Sequence, residues 1–172
     1  RRRMIGEPIQ YILEKAPFYG RSFFVNKNVL IPRFDSELMI DILKKYSCTD
    51  NLLEIGTGSG NLAITIAMEN IAKNIIATDI SKKKIDIAKY NKKRLSPDSK
   101  IKFIIDDFLN SKINKKFNII ISNPPYIPEK EINNLDNLVK NNEPLNSLTD
   151  GKDGYSFYRK FALKGKHILT NN

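Results

Sequence analysis

The sequence predicts an α/β fold built on a doubly wound parallel sheet, and three observations carry that prediction. From residue 52 onward, short apolar runs rich in isoleucine alternate with stretches of helical periodicity, as expected for strands buried on both faces between crossover helices. A glycine-rich turn, Gly56-Thr57-Gly58-Ser59-Gly60, lies between the first of these runs and the helix after it, where open α/β sheets bind ligands. The next two runs end on acids, Asp79 and the pair Asp106-Asp107.

Taken in order, segments 9–13 and 22–31 are rich in Ile, Tyr, Phe and Val and are separated by Pro17 and Gly20, which predicts a β-hairpin. Pro32 ends it. Asp35 or Ser36 is placed to cap a helix whose Leu38, Met39, Ile42, Leu43 and Tyr46 recur at helical spacing. Strands follow at 52–55 and 75–80, helices at 61–70 and at 81–95 with Ser81 as cap, and further strands at 101–105 and 118–122. The polar, Asn-rich stretch 128–153 reads as a partly helical loop over the sheet edge, a length of loop that usually serves function. Residues 155–164 read as a helix and 167–170 as the start of another strand. This divides the chain into a hairpin and linker segment, 1–34, and a catalytic domain, 35–172. A doubly wound sheet usually has more than these four parallel strands, so the last strands are expected to be missing and an edge exposed.

A chain of 172 residues is long enough for one compact domain. No apolar run approaches the roughly 20 residues of a membrane span, so no membrane association is expected. Arg1-Arg2-Arg3 is not followed by an apolar stretch and the first residue is not Met, so the start reads as an internal boundary rather than a signal peptide. Cys48 is the single cysteine and His167 the single histidine, which leaves a zinc site almost without ligands and fits a reducing cytoplasm. The formal charge of +10 allows a phosphate-rich partner. Its densest cluster, Lys82, Lys83, Lys84, Lys89, Lys92, Lys93 and Arg94, falls on a predicted exposed helix, and a solvated face is the better reading. Nucleic acid is therefore not expected as the substrate, and a monomer is expected.

The glycine turn narrows the ligand. A dinucleotide fingerprint needs glycine at 61, where Asn61 stands, and a P-loop needs a Gly-Lys-Ser/Thr ending that is absent. The pattern suits a nucleoside without a pyrophosphate. Asp79, about 20 residues beyond the turn, is placed to accept from ribose hydroxyls. Asp106 or Asp107 is placed to accept from an adenine amino group, with Phe108 beside the ring; strand alternation does not choose between the two acids. Asn123-Pro124-Pro125-Tyr126 follows the fourth strand, at the same end of the sheet. The Asn123 side-chain oxygen and the Pro124 carbonyl are two acceptors suited to the two hydrogens of a planar –NH2 group, and Tyr126 can stack on it. No His or buried carboxylate stands beside this motif.

Gly6 to Ile12, Val29-Leu30-Ile31-Pro32-Arg33, the glycine loop, Asn123 to Tyr126, Glu143-Pro144 and Asp153-Gly154 together resemble the HemK/PrmC family of release-factor glutamine N5-methyltransferases. The resemblance runs from about residue 1 to 165. It implies a class I S-adenosylmethionine-dependent methyltransferase, a Rossmann-like sheet, acting on the glutamine of the Gly-Gly-Gln loop of class 1 peptide chain release factors. It further implies that Gly56, Thr57, Gly58, Ser59, Gly60, Asp79, Asp107, Phe108 and Asn123 contact the cofactor, and Asn123, Pro124, Pro125 and Tyr126 the glutamine. Methylated, the amide nitrogen becomes acidic enough to lose its proton to water, so no strong base is needed. Glu14 and Phe34 depart from the family pattern, which has glycine and proline there. The Asn-Pro-Pro-Tyr block alone also occurs in adenine-N6 methyltransferases, and a ribosomal-protein glutamine remains an alternative substrate.

Overall fold

A computed structural model of the chain describes residues 1–46, 48–111 and 113–170. The first regular element corrects the sequence expectation. Residues 9–13 are not a hairpin arm but a short helix, α1 (Ile9–Leu13), and the hairpin is built from β1 (Lys15–Phe18) and β2 (Arg21–Phe24). Pro8 sets the backbone before α1, and Glu14 ends it at φ 53. Five apolar-rich residues are too few for periodicity to separate helix from strand. Tyr19 and Gly20, at φ 48 and 71, make the two-residue turn with both central residues left-handed, whose twist matches that of the paired strands. Beyond β2, Val25, Val29 and Ile31 stay buried without strand pairing.

The hairpin is fastened into the rest of the molecule. Phe18 and Phe23 share a core cluster with Leu52 and Ile64. The buried Asn91 side chain accepts from Phe24 N at 2.8 Å and donates to the carbonyls of Phe24 and Ser59, both at 2.9 Å. One amide thus ties the hairpin to the glycine loop. Helix α2 (Glu37–Leu43) follows, and only part of the expected apolar face is covered. Leu43 is buried and Met39 packs on the same cluster, joined by Ile40, whereas Leu38, Ile42 and Tyr46 are exposed. Neither Asp35 nor Ser36 caps it through a side chain.

The remaining elements alternate as expected: β3 (Thr49–Ile55), α3 (Asn61–Met68), β4 (Ala72–Asp79), α4 (Lys82–Leu95), β5 (Ile101–Ile105) and β6 (Ile119–Ser122). Ser81 occupies the N-cap position of α4, but its side chain makes no capping bond. The four strands pair in parallel in the order β5-β4-β3-β6. Leu52, Ile75, Ala77 and Ile121 face one core with α2 and α3, whereas Leu53 and Ile55 face a second core with Phe108, Phe117 and Ile168. Each of the Leu, Ile and Phe side chains gains roughly 1.5–3 kcal/mol on full burial. Burial on both sides is why the strands read as unbroken apolar runs.

The stretch over the sheet edge contains a 3-10 turn at Glu129–Asn134, α5 (Asn137–Asn142) and a second 3-10 turn at Leu145–Ser147. Helix α6 (Ser156–Ile168) runs past its expected end at 164 and takes in His167. Only Leu169, just beyond it, bridges Phe117 in parallel beside β6. Among the described residues no helix is long and apolar enough to cross a membrane.

Candidate active site

The order β5-β4-β3-β6 means that the chain winds outward from β3 in one direction and then crosses to its other side. A crevice opens at that switch point, beyond the carboxyl ends of the strands. Ile55 and Ser122 are register partners there, and the Ser122 hydroxyl donates to the Ile55 carbonyl at 2.8 Å. Gly56 and Asn123, the residues that follow these two strand ends, both line the crevice. Tertiary pairing joins two motifs far apart in sequence.

The glycine loop forms one wall. Gly58, at φ 57, faces open space, and its N–H donates to Asp79 Oδ2 at 3.1 Å. Asp79 is buried, and its Oδ1 accepts from Ser81 N at 3.0 Å. Each oxygen keeps a further lone pair for a ligand hydroxyl. Gly60 serves packing instead, since a Cβ there would lie 3.1 Å from both the Ala88 Cβ and the Ile64 Cδ1, and its bareness lets α3 approach α4. Thr57 and Ser59 are buried beneath the loop. The Thr57 hydroxyl and the Ala63 N–H both donate to Glu54 Oε2, at 2.7 and 3.2 Å. Burial pushes the Glu54 carboxyl up to about 7, against the lowering effect of those two bonds. Of the five loop residues, Gly56 and Gly58 reach the cavity, and Thr57, Ser59 and Gly60 do not line it.

Asp79, Asp106, Asp107 and Phe108 lie along the next two strand ends, all on the cavity wall. The two adjacent acids differ. Asp107 is exposed, and its oxygens already accept from Leu109 N at 3.1 Å and Asn110 Nδ2 at 2.7 Å. Asp106 Oδ2 is buried and has no hydrogen-bond partner. Phe108 is buried against Phe157 and Phe161 of α6, with centroids 6.4 and 6.1 Å away.

On the opposite wall Asn123, Pro124 and Pro125 line the cavity, and Tyr126 stands outside the lining with 58% of its surface exposed. The Asn123 Nδ2 donates to the buried Ser36 Oγ at 3.1 Å. With the nitrogen committed, Oδ1 is the end left to accept; among the described residues no donor reaches it. Sequence reading placed Ser36 as a helix cap and missed this role.

Other contacts were equally hidden. Lys84, counted in the solvated charge run, is instead buried in the cavity wall, where its ammonium donates to Ser147 Oγ at 2.6 Å and Asn146 Oδ1 at 3.4 Å. Burial lowers its pKa and nearby Asp79 opposes that. Glu143 is buried and accepts from Arg33 at 2.6 Å and from Ile31 N at 3.2 Å. The Ile-Pro-Arg and Glu-Pro blocks, separate in sequence, are thereby one structural unit.

The release factor glutamine methyltransferase of Bacillus subtilis is 44% identical over 165 residues, covering 91% of this chain and 57% of that protein. The Staphylococcus aureus protein of the same name is 41% identical over 171 residues, covering 98% of this chain and 61% of that one. The chain thus spans somewhat over half the length of these relatives. In fold it is similar to the crystal structure of a methyltransferase from Pyrococcus furiosus, with a TM-score of 0.63 and 19% identity over 98% of this chain and 72% of that one. A family model described as methyltransferase small domain matches residues 33–146. That span holds the glycine loop, Asp79 and Asn123 to Tyr126, and by it the chain belongs to the methyltransferase small domain family.

Proposed function

We propose that this protein transfers a methyl group from S-adenosylmethionine to the side-chain amide nitrogen of the glutamine in the Gly-Gly-Gln motif of class 1 peptide chain release factors. The observation that carries the reading is Asn123 on the cavity wall, with its nitrogen held by Ser36 and its oxygen left as the acceptor. The relatives named release factor glutamine methyltransferase support the choice of substrate.

The residues fit the cofactor. Two bare glycines, Gly56 and Gly58, admit the backbone to close approach, and Asp79 has acceptor capacity for ribose hydroxyls. Asp106 Oδ2, buried without a donor, is the acceptor that an exocyclic amino group satisfies. Geometry thus favours Asp106 over Asp107 at the base. When bound, S-adenosylmethionine supplies an electrophilic methyl carbon. What the protein contributes is a hold on the nucleophile. An amide nitrogen is weakly nucleophilic because its lone pair is delocalised, and two acceptors, Asn123 Oδ1 and the Pro124 carbonyl, favour the charge that grows on it. Fixing both hydrogens also aims the lone pair, and orientation of this kind supplies much of the rate. Tyr126, exposed at the rim, stacks on the planar amide. The product nitrogen releases its proton to water, so no side-chain base is used.

The test is transfer of labelled methyl to a purified release factor, a ribosomal protein and DNA in parallel. Label is expected on the release factor alone, and to vanish when its Gly-Gly-Gln glutamine is replaced. Asn123→Ala is expected to lower the rate by about 100-fold or more, the range seen when one oriented hydrogen-bonding group is removed. Label on DNA, or an undiminished Asn123→Ala rate, overturns the reading.

A further inference from the structure

The tetrapeptide leaves the sheet where β6 ends, at Ser122, and prolines 124 and 125 have no N–H to donate. Its geometry is held by a segment 21 to 28 residues further along the chain. Ile127 N donates to the Leu148 carbonyl at 3.0 Å, Glu129 N donates to the Lys152 carbonyl at 2.9 Å, and Ile127 bridges Thr149 in parallel. Beside these bonds, the buried Gly154 abuts the Tyr126 peptide. A Cβ on Gly154 would lie 2.3 Å from the Tyr126 carbonyl oxygen and 3.2 Å from its carbon. Both partners are backbone, so neither has a side chain that could swing aside.

Gly154 is itself held by Asp150, whose carboxylate accepts from Lys152 N at 2.9 Å, Gly154 N at 3.0 Å, Ser156 N at 3.0 Å and the Ser156 hydroxyl at 2.5 Å. Desolvation pushes this carboxyl up, but the Ser156 bonds and those from Lys152 and Gly154 outweigh it and hold it at about 2. Asp150 is therefore an anion near neutral pH with four donors, on the cavity wall.

We propose that Gly154 and Asp150 are positioning residues for methyl transfer: Gly154 sets where the Tyr126 carbonyl lies, and Asp150 keeps Gly154 there. This rests on the proposed function, since it concerns the same tetrapeptide. Neither residue is assigned contact with the reacting atoms. Their effect passes through Tyr126 and its proline neighbours, and a displacement near 1 Å at a reacting group costs up to about 100-fold.

A matched pair of substitutions tests it. Gly151 lies in the same loop at φ +67, with nothing within 4 Å of a Cβ, whereas Gly154 lies at φ +81 against Tyr126. Both Gly→Ala changes carry the strain of a left-handed residue, but only Gly154→Ala pushes on the tetrapeptide. Gly154→Ala is expected to lower kcat by about 10- to 100-fold, with KM for the protein substrate and calorimetric affinity for S-adenosylmethionine close to wild type. Gly151→Ala is expected to keep nearly full kcat. Equal kcat in the two variants, or a loss of cofactor affinity in step with kcat, overturns the inference. If Gly154→Ala does not fold, Asp150 decides: Asp150→Ala should lose kcat and Asp150→Asn, which keeps one acceptor oxygen, should recover part of it. Full kcat in Asp150→Ala sinks the proposal. Failure of the wild type to methylate a release factor would instead sink the proposed function.

Discussion

Asn123 is bound at its nitrogen end by Ser36, so the hydroxyl that a sequence pattern assigns to a helix cap orients the amide at the site. Ser36→Ala is expected to leave cofactor affinity unchanged while lowering the methyl-transfer rate about 10-fold, less than Asn123→Ala, because the amide keeps its acceptor but loses its aim. A rate equal to wild type would remove Ser36 from the site. The adjacent acids make a second residue-scale test. Asp106 Oδ2 is buried without a partner, whereas Asp107 holds its own turn through Leu109 and Asn110. Asp106→Asn is expected to weaken S-adenosylmethionine by about 10- to 100-fold in calorimetry, since one lost hydrogen bond to a charged group is worth about 1.5–3 kcal/mol. Equal affinity in Asp106→Asn and weaker affinity in Asp107→Asn would reverse the assignment.

At the scale of elements, Glu54 joins β3, the glycine loop and α3 through one carboxylate oxygen. Its folded pKa of about 7 stands above the ordinary 4.5, so the folded state binds the proton more tightly than the unfolded chain does. The stabilisation from this proton is complete below pH 4.5 and is lost as pH rises through about 7. Between pH 5 and pH 8 the loss amounts to about 2 kcal/mol. Glu54→Gln keeps an acceptor for Thr57 and Ala63 and cannot ionise, so urea unfolding at the two pH values should show that difference reduced or gone. A wild-type difference retained in full would assign it to other groups. The same scale shows where sequence legibility stopped. The isoleucine runs of β3 to β6 announced themselves because both faces are buried, whereas 9–13 offered too few residues to reveal a period. On α2, apolar Leu38 and Ile42 lie at helical spacing but on the exposed side, and Tyr46, which continues that spacing, falls beyond the helix end and is exposed too, since spacing marks a stripe without saying what covers it.

Over the whole molecule, Leu30 beyond the hairpin, the strand ends of the sheet and the segment from Asn146 to Ser156 converge on one cavity, and a ligand seated there stabilises them together. S-adenosylmethionine at about 100 times its Kd should add about 2.7 kcal/mol, which for a domain of this size raises Tm by roughly 5–10 °C. ATP, whose triphosphate has no P-loop to receive it, should add little; an equal shift with ATP, or none with either, would contradict the nucleoside assignment. The sequence by itself determined the α/β class, the strand order of appearance, the glycine turn, the acids ending the next two strands and the tetrapeptide after the fourth, because each is a local pattern set by chain neighbours. Only the tertiary structure decided that Ser36 aims Asn123, that Lys84 leaves its charge run for the cavity wall, that Glu143 anchors Arg33, and that Gly154 bears on Tyr126. Those pairs lie from 28 to 110 residues apart, and no local periodicity encodes a contact that exists only once the sheet has closed the distance.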